Sequence, residues 1–288
     1  MSRAFGAIGA VLAALAASAA FPAGAQTPAE RGRYLVESIV ACGNCHTPKN
    51  PDGSERRDMN LAGGFIIEAP PFTAVASNIT PDRETGIGQW TDQQIVRAIR
   101  EGIRPDGTII GPPMPFEFYG KISDRDAMDI VAYLREAPAV KNRTAKSFYR
   151  IPLPKSWGNA AADPDPQHAT DKVAYGAYLA GPLGHCLECH TPMLPSGGRD
   201  MARVGAGGPP IPGPAGDVVP PNITPDAETG LGRWSDGEIK RAITQGISRD
   251  GRKLMPPMAF AYYARMTPRD LDAIVAYLRS LKPLPAQR

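Results

Sequence analysis

The chain reads as an all-α protein: two tandem domains of one kind joined by a Pro-rich connector. Three observations carry that reading. Sequence motifs recur at one fixed spacing of 144 residues. Helix-start signals and helical apolar spacing recur with them. No set of alternating strands stands out between them.

Taken in order, residues 1–25 read as an export signal. Arg3 gives a thin positive start, Ala4 to Ala20 is apolar and Ala-rich, and Ala23-Gly24-Ala25 offers a small-residue cleavage site. The exported chain then begins near Gln26. An uncleaved anchor is the competing reading, but the stretch is short for a membrane span and poor in large apolar side chains. Residues 26–137 form the first domain, 138–170 the connector and 171–288 the second domain.

Within each domain the first helix is expected to run up to a cysteine cluster, near Ala29 to Cys45 and Lys172 to Cys189. Gly32, Tyr34 and Leu35 match Gly176, Tyr178 and Leu179. A Gly/Pro-rich segment follows, from Pro48 to Pro81 and from Pro192 to Pro225, and leads into the run Asn78-Ile-Thr-Pro-Asp-Arg-Glu-Thr-Gly-Ile-Gly-Gln-Trp90. Its counterpart, Asn222 to Trp234, is identical at ten of the 13 positions. The second helix starts at a capping box, Thr91-Asp-Gln-Gln94 or Ser235-Asp-Gly-Glu238, and stops near Gly102 or Gly246. The last helix starts at Ser123 or Thr267, with Pro268 suited to a first helical position. Ile130-Val-Ala-Tyr-Leu-Arg135 and Ile274-Val-Ala-Tyr-Leu-Arg279 then repeat apolar residues at helical spacing. The connector carries Pro138, Pro152, Pro154, Pro164 and Pro166 and reads as ordered or semi-extended. Trp157, its large aromatic, is expected to cover a domain surface.

Composition narrows the function. The 288 residues hold 30 Gly and 31 Pro, and the formal charge is +3. Loss of Arg3 lowers it to +2, too weak a balance for nucleic acid or an anionic membrane. The basic residues between Lys141 and Lys155 read as a solvated linker. All four cysteines fall in two clusters: Cys42-Gly-Asn-Cys45-His46 and Cys186-Leu-Glu-Cys189-His190. Cys-x-x-Cys-His is the attachment pattern of covalent c-type haem. Two cysteines three apart share one face of a helical turn, as two thioether bonds to one edge of the macrocycle require. The following histidines, His46 and His190, then place neutral imidazole under iron. Each second ring nitrogen needs an acceptor the sequence does not identify. A thioredoxin-type dithiol would expect a βαβ context, and zinc would need a further ligand pair.

The repeat also selects a sixth iron ligand. Of nine methionines, only Met114 and Met258 superpose at the 144 spacing, in Gly111-Pro-Pro-Met114 and Met255-Pro-Pro-Met258. Flanking prolines stiffen the approach of a weak thioether donor. Core packing is the ordinary use of Met; beside two haem signatures, ligation is the stronger reading, and His/Met ligation raises the reduction potential. Met255 is set aside because its counterpart is Gly111. His185 and His168 read as surface or supporting residues. Trp90 and Trp234 either pack in the core or donate to haem propionates. Asn78, Thr80, Asn222 and Thr224 likewise are propionate donors or simply turn formers.

Together, the Cys-x-x-Cys-His clusters, the Asn-Ile-Thr-Pro-Asp runs, Pro-Pro-Met and the final Ile-Val-Ala-Tyr-Leu helices resemble class I cytochromes c. More closely, the chain is similar to the cytochrome c subunits of bacterial alcohol, gluconate and sugar dehydrogenases. The resemblance implies two class I cytochrome c domains and two covalently bound haem c groups. They would be attached at Cys42, Cys45, Cys186 and Cys189, with iron held by His46, Met114, His190 and Met258. It implies a periplasmic electron carrier with no catalytic residues of its own, taking electrons from a dehydrogenase and passing them to a cytochrome or oxidase. Peripheral membrane association is compatible with this. The sequence departs from the pattern in having two modules where many such subunits have three, and no C-terminal anchor is evident. The rival readings are a dihaem enzyme of peroxidase or thiosulfate dehydrogenase type and a gas or redox sensor. Both need an iron with an open or displaceable position.

Overall fold

The structure, a computed structural model, describes residues 26–158, 170–212 and 216–286. The export-signal reading of residues 1–25 and the position of His168 lie outside the described residues.

Helix α1 (Pro28–Glu37) opens on a capping box between Thr27 and Glu30, with Pro28 in its first turn. The single helix expected from Ala29 to Cys45 is broken, because α1 stops at Glu37 and a separate turn, α2 (Gly43–His46), carries the first signature. The cause is local. The Ser38 hydroxyl turns back onto the Tyr34 carbonyl, and Ala41 takes left-handed backbone at φ +51°, which a right-handed helix cannot continue through. Helix α3 (Asp92–Glu101) begins at the Thr91/Gln94 capping box and ends at left-handed Gly102. The short α4 (Phe116–Tyr119) and the long α5 (Asp124–Glu136), capped by Ser123, complete the first half.

The second half repeats this order. Its first helix is also broken, into α6 (Lys172–Tyr178), a π turn over Leu179–Leu183 and α7 (Cys186–Cys189). Pro182 has no N–H to give a regular turn, and His185 is left-handed at φ +37°. Then come α8 (Asp236–Gln245), with its Ser235/Glu238 box and left-handed Gly246, α9 (Phe260–Tyr263) and α10 (Pro268–Ser280), with Pro268 in its first turn.

The all-α expectation does not hold. Helices make up only about 36% of the structure, and the Gly/Pro-rich segment of the first half forms a sheet. Strands β1 (Ile66–Ala69) and β2 (Phe72–Val75) pair antiparallel around Pro70-Pro71, with Ala69 opposite Phe72. The connector adds β3 (Phe148–Tyr149) to the free edge of β2, Tyr149 opposite Phe72. Alternation on β2 is real, Phe72 and Ala74 being buried between half-exposed Thr73 and Val75. It is four residues long, and its neighbour β1 has no buried residue, so the period-2 signal is faint.

Helices α1 and α5 cross backbone to backbone, as do α6 and α10. A Cβ on Gly32 would sit 1.8 Å from the Asp129 carbonyl oxygen, and one on Gly176 1.9 Å from that of Ala273. Glycine is therefore a steric requirement at both crossings. The apolar faces of all four helices join one core that runs through both halves, with Leu35, Ile39, Ile130, Leu179, Leu183 and Ile274 almost fully buried.

The halves meet with two-fold character. The Tyr34 hydroxyl donates to Asp270 (2.5 Å) and accepts from the Thr267 N–H (3.1 Å). Tyr178, its counterpart, donates to Asp126 (2.8 Å) and accepts from the Ser123 N–H (3.0 Å). Each tyrosine thus reaches across to cap the last helix of the other half, the reciprocal pattern of an isologous contact. Asp126 also pairs with Arg31 (3.1 Å), whereas Asp270 takes the Tyr175 hydroxyl (2.9 Å). Among the described residues no helix is long and apolar enough to cross a membrane.

Candidate functional site

Both signatures are launched the same way. Ala41 and His185, each just before the first cysteine, are left-handed residues that turn the chain sharply after its first helix. The short turns α2 and α7 then set the two cysteines of each signature one helical turn apart. All four cysteines are free and half-buried. Burial pushes the thiols up, that of Cys42 to about 12, Cys186 to about 11 and Cys189 to about 12; Cys45 moves the same way. Dithiol exchange runs on thiols whose acidity is raised, and these are shifted in the opposite direction. Among the described residues no group of three or more His, Cys, Asp or Glu side chains is gathered for a metal ion.

The two signature histidines are matched in detail. His46 Nδ1 lies 2.8 Å from the Ser77 carbonyl oxygen and His190 Nδ1 lies 2.7 Å from that of Pro221. With that nitrogen donating its hydrogen, Nε2 keeps a free lone pair. Burial holds both imidazoles below the ordinary histidine range, against a smaller opposing effect of those carbonyls. Each is thus a neutral, oriented donor.

The acceptors Ser77 and Pro221 are residues that sequence reasoning missed. A backbone carbonyl leaves no side-chain signature, and the two differ in residue type. The available clue was position: each directly precedes the repeated Asn-Ile-Thr-Pro-Asp run. That run is what holds them. Asn78 donates to Thr85 (3.1 Å) and to the Val140 carbonyl (2.8 Å) and accepts from the Thr80 N–H (2.9 Å) and hydroxyl (2.8 Å). Asn222 does the same with Thr229, the Leu284 carbonyl and Thr224. These side chains tie the loop to the segment after the last helix of their own half.

Met114 and Met258 stand on corresponding loops, just before α4 and α9, and both are half-buried. Their carbonyls accept from the N–H groups of Phe116 and Phe260, 3.0 Å in each case. Trp90 and Trp234 pack against the core, and their carbonyls are gripped by Arg135 and Arg279. His185 is half-buried, pairs with Glu188 (2.9 Å) and meets the Tyr119 ring edge-on at 5.6 Å.

The structure also draws the two signatures toward one another. A point beside Gly184 lies 3.2 Å from Ile39 Cγ1 of the first half and 3.5 Å from Cys186 Sγ of the second. Asn44, inside the first signature, donates to the carbonyl of Pro257, the neighbour of Met258 (3.3 Å). Tyr119 and Tyr263 occupy corresponding places against the cysteines. Burial raises both phenols, helped by Cys42 and Cys45 at Tyr119 and by Cys186, Cys189 and Cys45 at Tyr263. Sequence reasoning passed over them, although they match each other at the 144 spacing, each three residues after the matched pair Phe116 and Phe260.

The donor set fits haem c: paired thiols on one turn, a neutral imidazole next in sequence held from behind by a carbonyl, and a half-buried thioether on a matched loop. Comparison with known proteins agrees. The cytochrome c family model matches residues 173–282. The fructose dehydrogenase cytochrome subunit of Gluconobacter japonicus is 33% identical over 277 residues, 90% of this chain and 54% of that one. The cytochrome c subunit of the quinone alcohol dehydrogenase of Gluconobacter oxydans is 31% identical, over 89% of this chain and 55% of that one. The chain therefore spans about half the length of these subunits. A dihaem c-type cytochrome of Cereibacter sphaeroides is 31% identical over 267 residues. Similarity that runs through 89% of this chain and 87% of that relative makes this chain a member of the cytochrome c family.

Proposed function

We propose that the chain is a periplasmic dihaem cytochrome c that relays single electrons from a partner dehydrogenase to a downstream acceptor. The observation that carries this reading is the duplicated imidazole: two neutral histidines, His46 half-buried and His190 buried, each held by a carbonyl at the same place in its half. Cys42 and Cys45, and Cys186 and Cys189, would hold the haems; His46 with Met114, and His190 with Met258, would hold the irons. Bound haem iron supplies one-electron chemistry, its potential set by axial ligands and burial. The chain's own residues orient each imidazole and keep it unprotonated. They also pack the first cysteine of each signature, Cys42 and Cys186, against one shared core. With His46 and Met114, and His190 and Met258, as the residues that would hold the irons, no position would be left for substrate, so the chain would carry electrons for a separate catalytic subunit. Its similarity to cytochrome subunits of fructose and alcohol dehydrogenases supports a dehydrogenase as donor. The Ala-rich stretch after Arg3, read as an export signal, supports export.

Denatured protein should retain two haems per chain after acidic solvent extraction, and the native spectrum should be wholly low-spin. Met114→Ala and Met258→Ala should each open one iron to carbon monoxide and lower one of two potentials. Free haem in the extract, or two unchanged potentials, would overturn the reading. A high-spin resting haem with peroxide turnover would replace it with the dihaem enzyme.

A further inference from the structure

The two methionine loops correspond in sequence but not in what lies over them. After α5, the connector returns across the first half. Ser147 bonds both the N–H (3.0 Å) and the carbonyl (3.3 Å) of Val75, β3 pairs with β2, and the Arg150 N–H donates to the Pro71 carbonyl (2.8 Å). So anchored, the connector runs over the loop that bears Met114. The Tyr149 ring and the Leu153 side chain close on Gly111 so tightly that a Cβ there would sit 2.5 and 2.9 Å from them. The Trp157 indole N–H donates to the Ile110 carbonyl (2.7 Å). Its ring stacks on Phe116 at 5.5 Å and 26° and lies over Gly102. Residues 147–157 therefore grip the loop on both sides of Met114, at Ile110 and Gly111 before it and at Phe116 after it.

The second loop has a different surface. Met255 takes the place of Gly111, and its side chain is 51% exposed. The nearest neighbours of Gly246, the counterpart of Gly102, are atoms of the Phe260 ring, where those of Gly102 belong to both Phe116 and Trp157.

We infer that the connector is a strap that positions Met114, so that this thioether is held against displacement more firmly than Met258, whose loop, among the described residues, takes a single hydrogen bond from the first half, Asn44 to the Pro257 carbonyl (3.3 Å). The inference rests on the proposed assignment of Met114 and Met258 as iron ligands. Any ligand that takes the sixth position must swing the methionine loop outward. In the first half, that motion breaks the Trp157–Phe116 stack, the indole hydrogen bond and the Tyr149 contact. The basic, Pro-rich connector thus does more than join two halves: it makes them unequal. Trp157, Tyr149 and Leu153 are positioning residues that act through the loop.

Imidazole titration of the oxidised holoprotein tests this, followed by the weak red charge-transfer band of thioether-ligated ferric haem. Two steps are expected, the haem of the second half reacting at lower imidazole. Met258→Ala removes the early step and so assigns the later one. Trp157→Ala should move the later step to about tenfold lower imidazole, from loss of a stacked pair and a hydrogen bond, and leave the early step in place. Trp157→Phe, which keeps the stack without the donor, should recover part of the shift, and Tyr149→Ala should move the same step. A single step in the wild type, an unmoved later step in all three variants, or equal movement of both steps would overturn the strap. Met114→Ala separates the two layers: an unaltered band in that variant sinks the ligand assignment itself, whereas a lost band beside an unmoved Trp157→Ala sinks only the strap.

Discussion

The α1–α5 crossing makes a quantitative demand on Gly32. A methyl group there would lie 1.8 Å from the Asp129 carbonyl oxygen and 2.5 Å from its carbon, both backbone atoms inside a helix. Even the shortest contact found for a real Cβ, 3.0 Å, requires α1 and α5 to part by a further 1.2 Å (3.0 less 1.8). The separation would loosen Leu35 and Val36, which α1 buries, from Ile130 and Val131 of α5. Overpacking with backbone displacement puts Gly32→Ala at about 3 kcal/mol of lost stability, the top of the usual range. Gly237 supplies the control. It lies within α8, its φ is not positive, and a Cβ there meets nothing within 4 Å. Gly237→Ala should stabilise by about 0.5–1 kcal/mol through helix propensity alone. Guanidinium unfolding of the holoprotein, followed by far-ultraviolet circular dichroism, reads both as shifts of midpoint in opposite directions. Because only a short turn separates the end of α1 at Glu37 from the first signature, Gly32→Ala should also disturb the optical spectrum, and Gly237→Ala should not. A Gly32→Ala midpoint at or above that of the wild type would refute the backbone-contact argument.

The cross-half tyrosines should matter equally. Tyr34→Phe and Tyr178→Phe each remove a hydrogen bond to a buried aspartate and should each cost about 1.5–3 kcal/mol in the same unfolding assay; wild-type midpoints in both would refute the reciprocal interface. Stability should also fall on acidification through the signature histidines. Burial depresses both folded pKa values, so their contribution is complete above the unfolded value, about 6.5. It is lost as pH falls from there through the folded values, while the unfolded chain takes up protons that the native state refuses. Midpoints measured from pH 8 to 4 should therefore hold level above about pH 7 and decline below about pH 6.5; a decline that begins on the alkaline side would contradict this.

Much of this protein was legible because it is written locally. A capping box needs four consecutive residues, and both predicted boxes, at Thr91 and Ser235, are in place, each with a left-handed glycine closing its helix. The haem signatures are equally local. The β-hairpin was not legible, because β1 buries nothing and β2 is completed by β3 of the connector. The break in each first helix involves a left-handed residue, Ala41 or His185; alanine gives no sign of that conformation, and histidine only a weak statistical one.

By itself, the sequence determined the repeat, the helix ends, and which residue types stand ready for haem. Those properties depend on side chains a few positions apart, or on two copies of one pattern. Only the tertiary structure decided what surrounds them. Backbone carbonyls hold the imidazoles, tyrosines cross between halves to buried aspartates, and a connector lies over one methionine loop. These contacts join groups that are distant along the chain, and many of them use backbone atoms common to every residue. Neither kind leaves a mark in the order of amino acids.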